Sequence, residues 1–209
     1  MNTRSVTGWL LICGPIGTFL VIGILYSMLV GDQETPASSV AEMMAEPSLA
    51  RLLLGLGSIV FVSSFLGLTL LSHSMQGDDK PGGAYASLST IIFAAVAALA
   101  IGATGLSAGA LEASATSEAL AVNIEAVSTA MFTGVWLFWG IGGLLLGGAM
   151  IMQKNLHAVI AWIFVVFGIF VLISSLIDLN LAGGVGMVVW IAITLVTAAA
   201  GVQTLKQNS

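Results

Sequence analysis

Charged residues are scarce in this chain. They make up 7% of its 209 residues, whereas a soluble domain carries about 25%. So few charges cannot cover the surface of a water-soluble domain of this size, and the composition therefore excludes that class. Apolar residues account for 58% of the chain, and the mean hydropathy is +1.08. Both values predict an integral membrane protein.

Basic residues and cysteine are rarer still. The chain holds five lysines and arginines in total, and its net charge is −5. It contains no basic stretch, so nucleic acid is not an expected partner, and neither is a polybasic contact with anionic lipid. The single cysteine, Cys13, lies in an apolar stretch and cannot form an intramolecular disulfide.

Ionisable side chains are also missing from the middle of every long apolar stretch. Proton relays, ion-coupling sites, retinal and haem in membrane proteins depend on such side chains at that depth. His73 and His157, the only two histidines, fall at predicted helix ends and match no metal-binding spacing. The sequence therefore predicts no catalytic residue, no metal site and no cofactor.

Six apolar stretches are long enough to cross a hydrocarbon core of about 30 Å, which needs about 20 residues. Backbone groups in lipid must pair within their own segment, so each predicted span is a helix. The predicted spans are 9–30, 52–71, 85–111, 130–152, 156–177 and 185–205. The sequence thus predicts one all-α domain over residues 1–209, a bundle of about six transmembrane helices.

Two of the connections carry helix signals of their own. Thr35 and Pro36 form a cap followed by proline at the first helical position, and Ser39 and Glu42 have the spacing of a capping box. In the third connection an apolar stripe recurs at helical spacing at Leu120, Ile124, Val127 and Met131. These patterns predict two short amphipathic helices lying on the outer membrane surface.

The distribution of basic residues predicts the orientation. If the N-terminus is inside, Arg4, Lys80, Lys154 and Lys206 all face the cytoplasm, and only Arg51 lies outside. An excess of lysine and arginine is typical of cytoplasmic loops. The expected location is the cell (cytoplasmic) membrane, with both termini in the cytoplasm and an acidic outer face.

Small and aromatic residues form the clearest pattern within the spans. The third span carries a glycine stripe, and the fourth carries a stripe that is aromatic in its outer half and small in its inner half. We expect the two stripes to meet, because close helix contact in lipid depends on small residues. The gap between the outer halves is then either filled by the aromatic rings or open to an apolar ligand or a lipid tail. The residues concerned are Gly102, Gly105 and Gly109 in the third span, and Phe132, Trp136, Trp139, Gly143 and Gly147 in the fourth.

Arg51 has two interpretations. It lies at the outer start of the second span, near the acidic first connection. It either snorkels towards the surface and pairs with Glu46 or a lipid phosphate, or it contacts an anionic headgroup or a substrate.

Three short motifs resemble a bacterial family of six-helix integral membrane proteins that is known only as a domain of unknown function. They are Ala-Glu-Met-Met at 41–44 leading into Leu-Ala-Arg-Leu at 49–52, Trp-Leu-Phe-Trp-Gly at 136–140, and Gln-Lys-Asn-Leu at 153–156. The resemblance covers nearly the whole chain and implies the six-helix architecture. It implies no functional residue.

Three classes of function fit these observations. A non-catalytic membrane component, namely a subunit, an assembly factor or a lipid-interacting scaffold, explains the small-residue stripes and the missing chemistry. A carrier or channel for a small neutral or lipophilic molecule is the alternative, and it requires a cavity. An interfacial enzyme acting through His73, His157 or Arg51 is the second alternative. The expected partners are membrane lipids, together with other membrane subunits or further copies of the chain.

Overall fold

The computed structural model describes residues 2–30, 35–176 and 184–206, and these residues form helices and no strand. Six of the helices are long and apolar enough to cross a membrane, so the predicted all-α transmembrane bundle is confirmed. Residue 177, the predicted end of the fifth span, lies outside the described residues. The helices are α1 (Thr3–Leu29), α2 (Pro36–Ala45), α3 (Pro47–Ser74), α4 (Gly83–Ser114), α5 (Glu118–Gln153), α6 (Ala158–Leu176) and α7 (Gly184–Lys206).

The six long helices form a closed ring. Each packs on the next long helix along the chain, and α1 also packs against α7. Glycines permit the closest approaches in this ring. A β-carbon added at Gly14 would lie 2.6 Å from the backbone nitrogen of Ser64 on α3, and one added at Gly201 would lie 2.7 Å from the carbonyl oxygen of Gly8. In lipid, such close contacts supply much of the attraction between helices.

The second predicted surface helix does not exist as a separate element. Ser117 caps α5 by accepting a hydrogen bond from the backbone N–H of Leu120, and the helix then continues for 36 residues. Two residues of the apolar stripe face outward, since Leu120 and Val127 are 51% and 53% exposed, whereas Ile124 and Met131 are half-buried. Apolar side chains on a membrane helix are stable against lipid, so the small and polar face can turn inward instead.

The predicted meeting of the two glycine stripes is also wrong. A β-carbon added at Gly105 or Gly109 of α4 would meet no atom within 4 Å, and one added at Gly102 would meet only the end of the Met131 side chain. Gly143 and Gly147 face α6, where the nearest atoms belong to aromatic side chains and to the α6 backbone. The α4–α5 contact instead includes hydrogen bonds from the Ser89 hydroxyl to the Gly142 carbonyl oxygen and from the Ser128 hydroxyl to the Ala103 carbonyl oxygen.

The buried apolar residues form two clusters. The larger one draws on all six long helices and is the core of the bundle. The smaller one lies at one end, where α2 covers residues of α1, α3, α4 and α5. Helices α4 and α5 have 32 and 36 residues, so they are about 48 and 54 Å long, well beyond a hydrocarbon core of about 30 Å. This extra length carries the smaller cluster.

Candidate ligand-binding cavity

A cavity of about 270 Å³ lies between the two apolar clusters. Its volume is close to the lower end of the range for small-molecule sites, about 300–1,000 Å³. Most of its wall is apolar and comes from α1, α3 and α5, with hydroxyl groups and one carboxyl group between the apolar side chains. The apolar residues are Ile22, Tyr26, Pro36, Leu53, Leu54 and Phe132, and the polar ones are Thr35, Ser39, Ser58, Thr104, Ser107, Glu125 and Thr129.

Glu125 provides the carboxyl group of this wall. Its side chain is only 6% exposed. Oε1 accepts a hydrogen bond of 3.2 Å from the hydroxyl of Ser39, whereas Oε2 is buried and has no hydrogen-bond partner within the described residues. A buried polar atom that makes no hydrogen bond is costly, and more so in a carboxylate. The free oxygen therefore marks a position where a bound donor would stabilise the protein.

Helix α2 covers the cavity. Thr35 and Ser38 form its capping box, and Pro36 occupies its first position, so the predicted cap is confirmed but the predicted Ser39–Glu42 capping box is wrong. Ser39 instead points towards α5 and donates to Glu125. Glu42, one turn further along α2, also has a buried oxygen without a hydrogen-bond partner in the described part of the chain.

The wall formed by α1 is irregular. Residues Phe19–Tyr26 form a π-helix, and two of them, Ile22 and Tyr26, line the cavity. π-Helical segments are rare and are frequently found at functional sites. Gly57 of α3 lies opposite this segment, and a β-carbon there would be 2.9 Å from Cγ1 of Ile22. The local widening of α1 is thus accommodated by a residue without a side chain.

The aromatic stripe of α5 bounds the cavity at one end. Phe132 lines the cavity and lies 6.2 Å, between ring centroids, from Phe61. Phe61 in turn contacts Trp139, which stacks on Trp136 at 5.2 Å. Of the three predicted contact residues on this stripe, Phe132 therefore reaches the cavity. Trp136 and Trp139 fill the bundle interior beyond it.

Arg51 does not line the cavity. It forms an ion pair with Glu112 of α4, and both side chains are exposed to 60% or more. The pairing with Glu46, one of the two expected partners, is therefore wrong, and the pairing with a lipid phosphate stays a prediction. Exposed ion pairs of this kind contribute about 0–1 kcal/mol. The pair neutralises the basic residue of this end of the bundle.

The two histidines lie at the opposite end. His73 lines a surface groove of about 350 Å³ together with Arg4 and Lys80, and His157 lines a second groove with Lys206. Within the ranges that the structure describes, no group of three or more histidines, cysteines or acidic residues is arranged to hold a metal ion. The expected lack of a metal, a cofactor and a catalytic residue stays a prediction.

Sequence reasoning missed Glu125 as a site residue. The signal was present in the spacing, because Ala121, Glu125 and Ser128 recur at intervals of four and three residues on a separate face, about 100° around the helix from the apolar stripe. All three are buried, and Ser128 donates to the carbonyl oxygen of Ala103 on α4. In a membrane helix, this small and polar face is the one to assign to the protein interior.

Comparison with known proteins adds no functional information. No family model, no curated protein sequence and no solved structure matches this chain. The resemblance to a six-helix bacterial family is untested and stays an expectation. The fold defines a polytopic α-helical membrane protein, and its function has to be inferred from the cavity.

Proposed function

We propose that this membrane protein binds a small, largely apolar molecule that carries a hydrogen-bond-donating headgroup, in the cavity beneath α2. One observation carries the proposal, namely that the buried carboxyl group of Glu125 lines an apolar cavity and leaves Oε2 without a partner. A ligand that donates to this oxygen removes the cost of the missing hydrogen bond. Its apolar part replaces empty space against Leu54 and Phe132.

A binding protein fits this cavity better than an enzyme does. General acid–base or nucleophilic catalysis needs a second reactive group within hydrogen-bond reach of the first. Among the described residues of the wall, Glu125 is the only carboxyl group, and there is no histidine, lysine, arginine or cysteine. The hydroxyl groups of Ser107 and Ser128 pair with each other at 2.9 Å. A purely structural scaffold, in turn, gives no reason for a cavity beside a buried carboxyl group.

The cavity also favours binding over conduction. Phe61, Phe65 and Trp139 lie in mutual edge contact in the bundle core, with centroids 4.9–6.5 Å apart. These rings occupy the interior on the side of Phe132 that faces away from the cavity. A carrier function would require this aromatic cluster to open, whereas a binding function needs only the movement of α2.

The orientation of the chain in the cell membrane is part of the proposal. In this proposal the cavity lies on the outer side of the membrane. The N-terminal end of α1 and the C-terminal end of α7 lie on the cytoplasmic side. Arg4 and Lys80 border the same groove at the end opposite α2, which supports a common location for these basic residues. Cytoplasmic loops are enriched in lysine and arginine.

Membrane lipids are the proposed partners of the outer surface of the bundle. Large apolar side chains on five of the long helices are at least 60% exposed, as expected for a lipid-facing belt. They are Met28, Ile59, Ile91, Val166, Val188 and Leu195. Part of this belt is available for other membrane subunits or a second copy of the chain.

Blocking the cavity tests the proposal. Thr129 is exposed at the edge of the cavity, so Thr129→Trp places an indole group in it without changing the bundle core. Thr133→Trp is the matched control. Thr133 is also exposed, makes the same type of hydrogen bond to the carbonyl four residues earlier, and does not line the cavity. Native mass spectrometry of protein purified in mild detergent should find a small molecule on the wild type and on Thr133→Trp, and none on Thr129→Trp. Equal occupancy of all three proteins would contradict the proposal.

A further inference from the structure

We propose that the headgroup bound at Glu125 is a primary ammonium group, so that the ligands of the cavity are small cationic amphiphiles. This inference rests on the proposed function and specifies its ligand class. It starts from Glu125, the single carboxyl group among the described residues of the wall. Glu125 is more than nine-tenths buried, its Oε1 accepts a hydrogen bond from the uncharged hydroxyl of Ser39, and its Oε2 has no partner within the described residues.

The wall of the cavity supplies no positive charge. No lysine, arginine or histidine is found among its described residues. A buried carboxylate is stable only when it is paired or well hydrogen-bonded, and an uncharged hydroxyl is a weak substitute for a cation. An ammonium group supplies both missing components, a positive charge and up to three N–H donors. A neutral alcohol supplies one donor and no charge.

The acidic surroundings of the cavity also favour a positively charged ligand. Glu42, Glu46 and Glu118 lie at this end of the bundle, and the basic residue there, Arg51, is already paired with Glu112. An excess of negative charge around a low-dielectric opening attracts cations and repels carboxylates and phosphates. The local field therefore disfavours a fatty acid or a phospholipid headgroup at this site.

The remaining wall suits the rest of such a molecule. Tyr26 and Phe132 provide aromatic faces, which attract cations that have lost part of their water. Leu53 and Leu54 provide apolar surface for a short alkyl chain. Ser107 and Thr104 add hydroxyl oxygens that can accept N–H groups not used by Glu125.

Two ligands of the same length and different headgroup test the inference. Binding of hexylamine and of hexanol to the full-length protein in lipid nanodiscs is measured by calorimetry, with Thr129→Trp in matched nanodiscs as the background for partitioning into lipid. The wild type should bind hexylamine about tenfold more tightly than hexanol, because a charge-assisted hydrogen bond is about twice as strong as a neutral one. The isosteric Glu125→Gln should weaken hexylamine binding about tenfold and leave hexanol binding within about threefold.

Glu118→Gln controls for the general negative field. Glu118 lies on the same helix, is exposed and loses the same charge, so hexylamine binding should change less than twofold. Equal affinity of the wild type for the two ligands would overturn the ammonium assignment. Unchanged hexylamine binding in Glu125→Gln would overturn it as well. In both cases the proposed function stands as long as hexanol binding disappears in Thr129→Trp. If neither ligand binds the wild type above the Thr129→Trp background, the inference and the proposed function both fail.

Discussion

Gly147 of α5 should tolerate no side chain, although its neighbour Gly148 should accept one. A β-carbon at Gly147 would lie 2.7 Å from the carbonyl oxygen of Ala161 and 2.9 Å from the backbone nitrogen of Val165, both on α6. Backbone atoms of a packed helix cannot move aside as the end of a flexible side chain can. At Gly148 a β-carbon would meet no atom within 4 Å. The substitutions Gly147→Ala and Gly148→Ala therefore differ in their surroundings and in little else.

The expected difference in the free energy of unfolding between the two variants follows from helix propensity and from overpacking. Alanine is favoured over glycine within a helix by about 1 kcal/mol, and both variants gain this amount. Overpacking a tight contact costs about 1–3 kcal/mol, and only Gly147→Ala bears this cost. The free energy of unfolding of Gly147→Ala should therefore be about 1–3 kcal/mol below that of Gly148→Ala. Gly143→Ala should fall between them, because its β-carbon would lie 3.4 Å from Cδ1 of Phe167, an ordinary contact.

Reversible unfolding in mixed micelles measures this difference. The fraction of a denaturing detergent is raised, and unfolding is followed by the fluorescence of the five tryptophans. Equal free energies for Gly147→Ala and Gly148→Ala would refute the reasoning, since they would mean that α5 and α6 do not cross at Gly147. A less stable Gly148→Ala would refute it more strongly.

Three further outcomes are expected. Gly105→Leu should change the free energy of unfolding by less than about 1 kcal/mol, because the glycine faces open space, and a loss of 2 kcal/mol or more would show a contact there. Ser39→Ala should speed hydrogen exchange of the α2 amides by about tenfold relative to those of α3, because the hydrogen bond to Glu125 is lost, and unchanged exchange would contradict this role. In a Cys13→Ser background, Lys80→Cys should react with an impermeant maleimide only after the cells are opened, and labelling of intact cells would reverse the proposed orientation.

The six long helices could be predicted because length and hydropathy are sufficient for that purpose. Backbone hydrogen bonding in lipid leaves no alternative to a helix, so each apolar stretch defines one span. The cap of α2 was predictable for a local reason, since Thr35 and Pro36 fix the start of a helix without help from the tertiary structure. Predictions of this kind depend on a few neighbouring residues.

Helix partners could not be predicted in the same way. The spacing of Gly143 and Gly147 indicates a face suited to close contact, but it does not identify the helix on the other side. The actual partner, α6, meets them with Phe164 and the backbone of Ala161, and neither residue belongs to a small-residue motif. The identity of the partner depends on the whole ring, in which α5 has two neighbours.

Glu125 was missed as a site residue because a rule for soluble proteins was applied to a membrane helix. An apolar stripe that includes Leu120 and Val127 indicates the buried face of a helix in water. In the structure, Leu120 and Val127 are exposed and Glu125 is buried. A helix that begins in the headgroup region and continues across the bilayer follows the opposite rule, because lipid receives its apolar side chains.

The closed ring has a consequence for how the protein is made. Most helix contacts in the ring join a span to the next one along the chain, so each can form soon after the second of the pair enters the membrane. The contact between α1 and α7 is different. Gly8 can contact Gly201 only after α7 has been synthesised, and all the other spans are synthesised before α7. During that interval the face of α1 that contacts α7 is open to lipid or to an insertion factor. Substitutions at Gly8 should therefore reduce the yield of inserted protein during synthesis by more than their effect on the finished bundle alone.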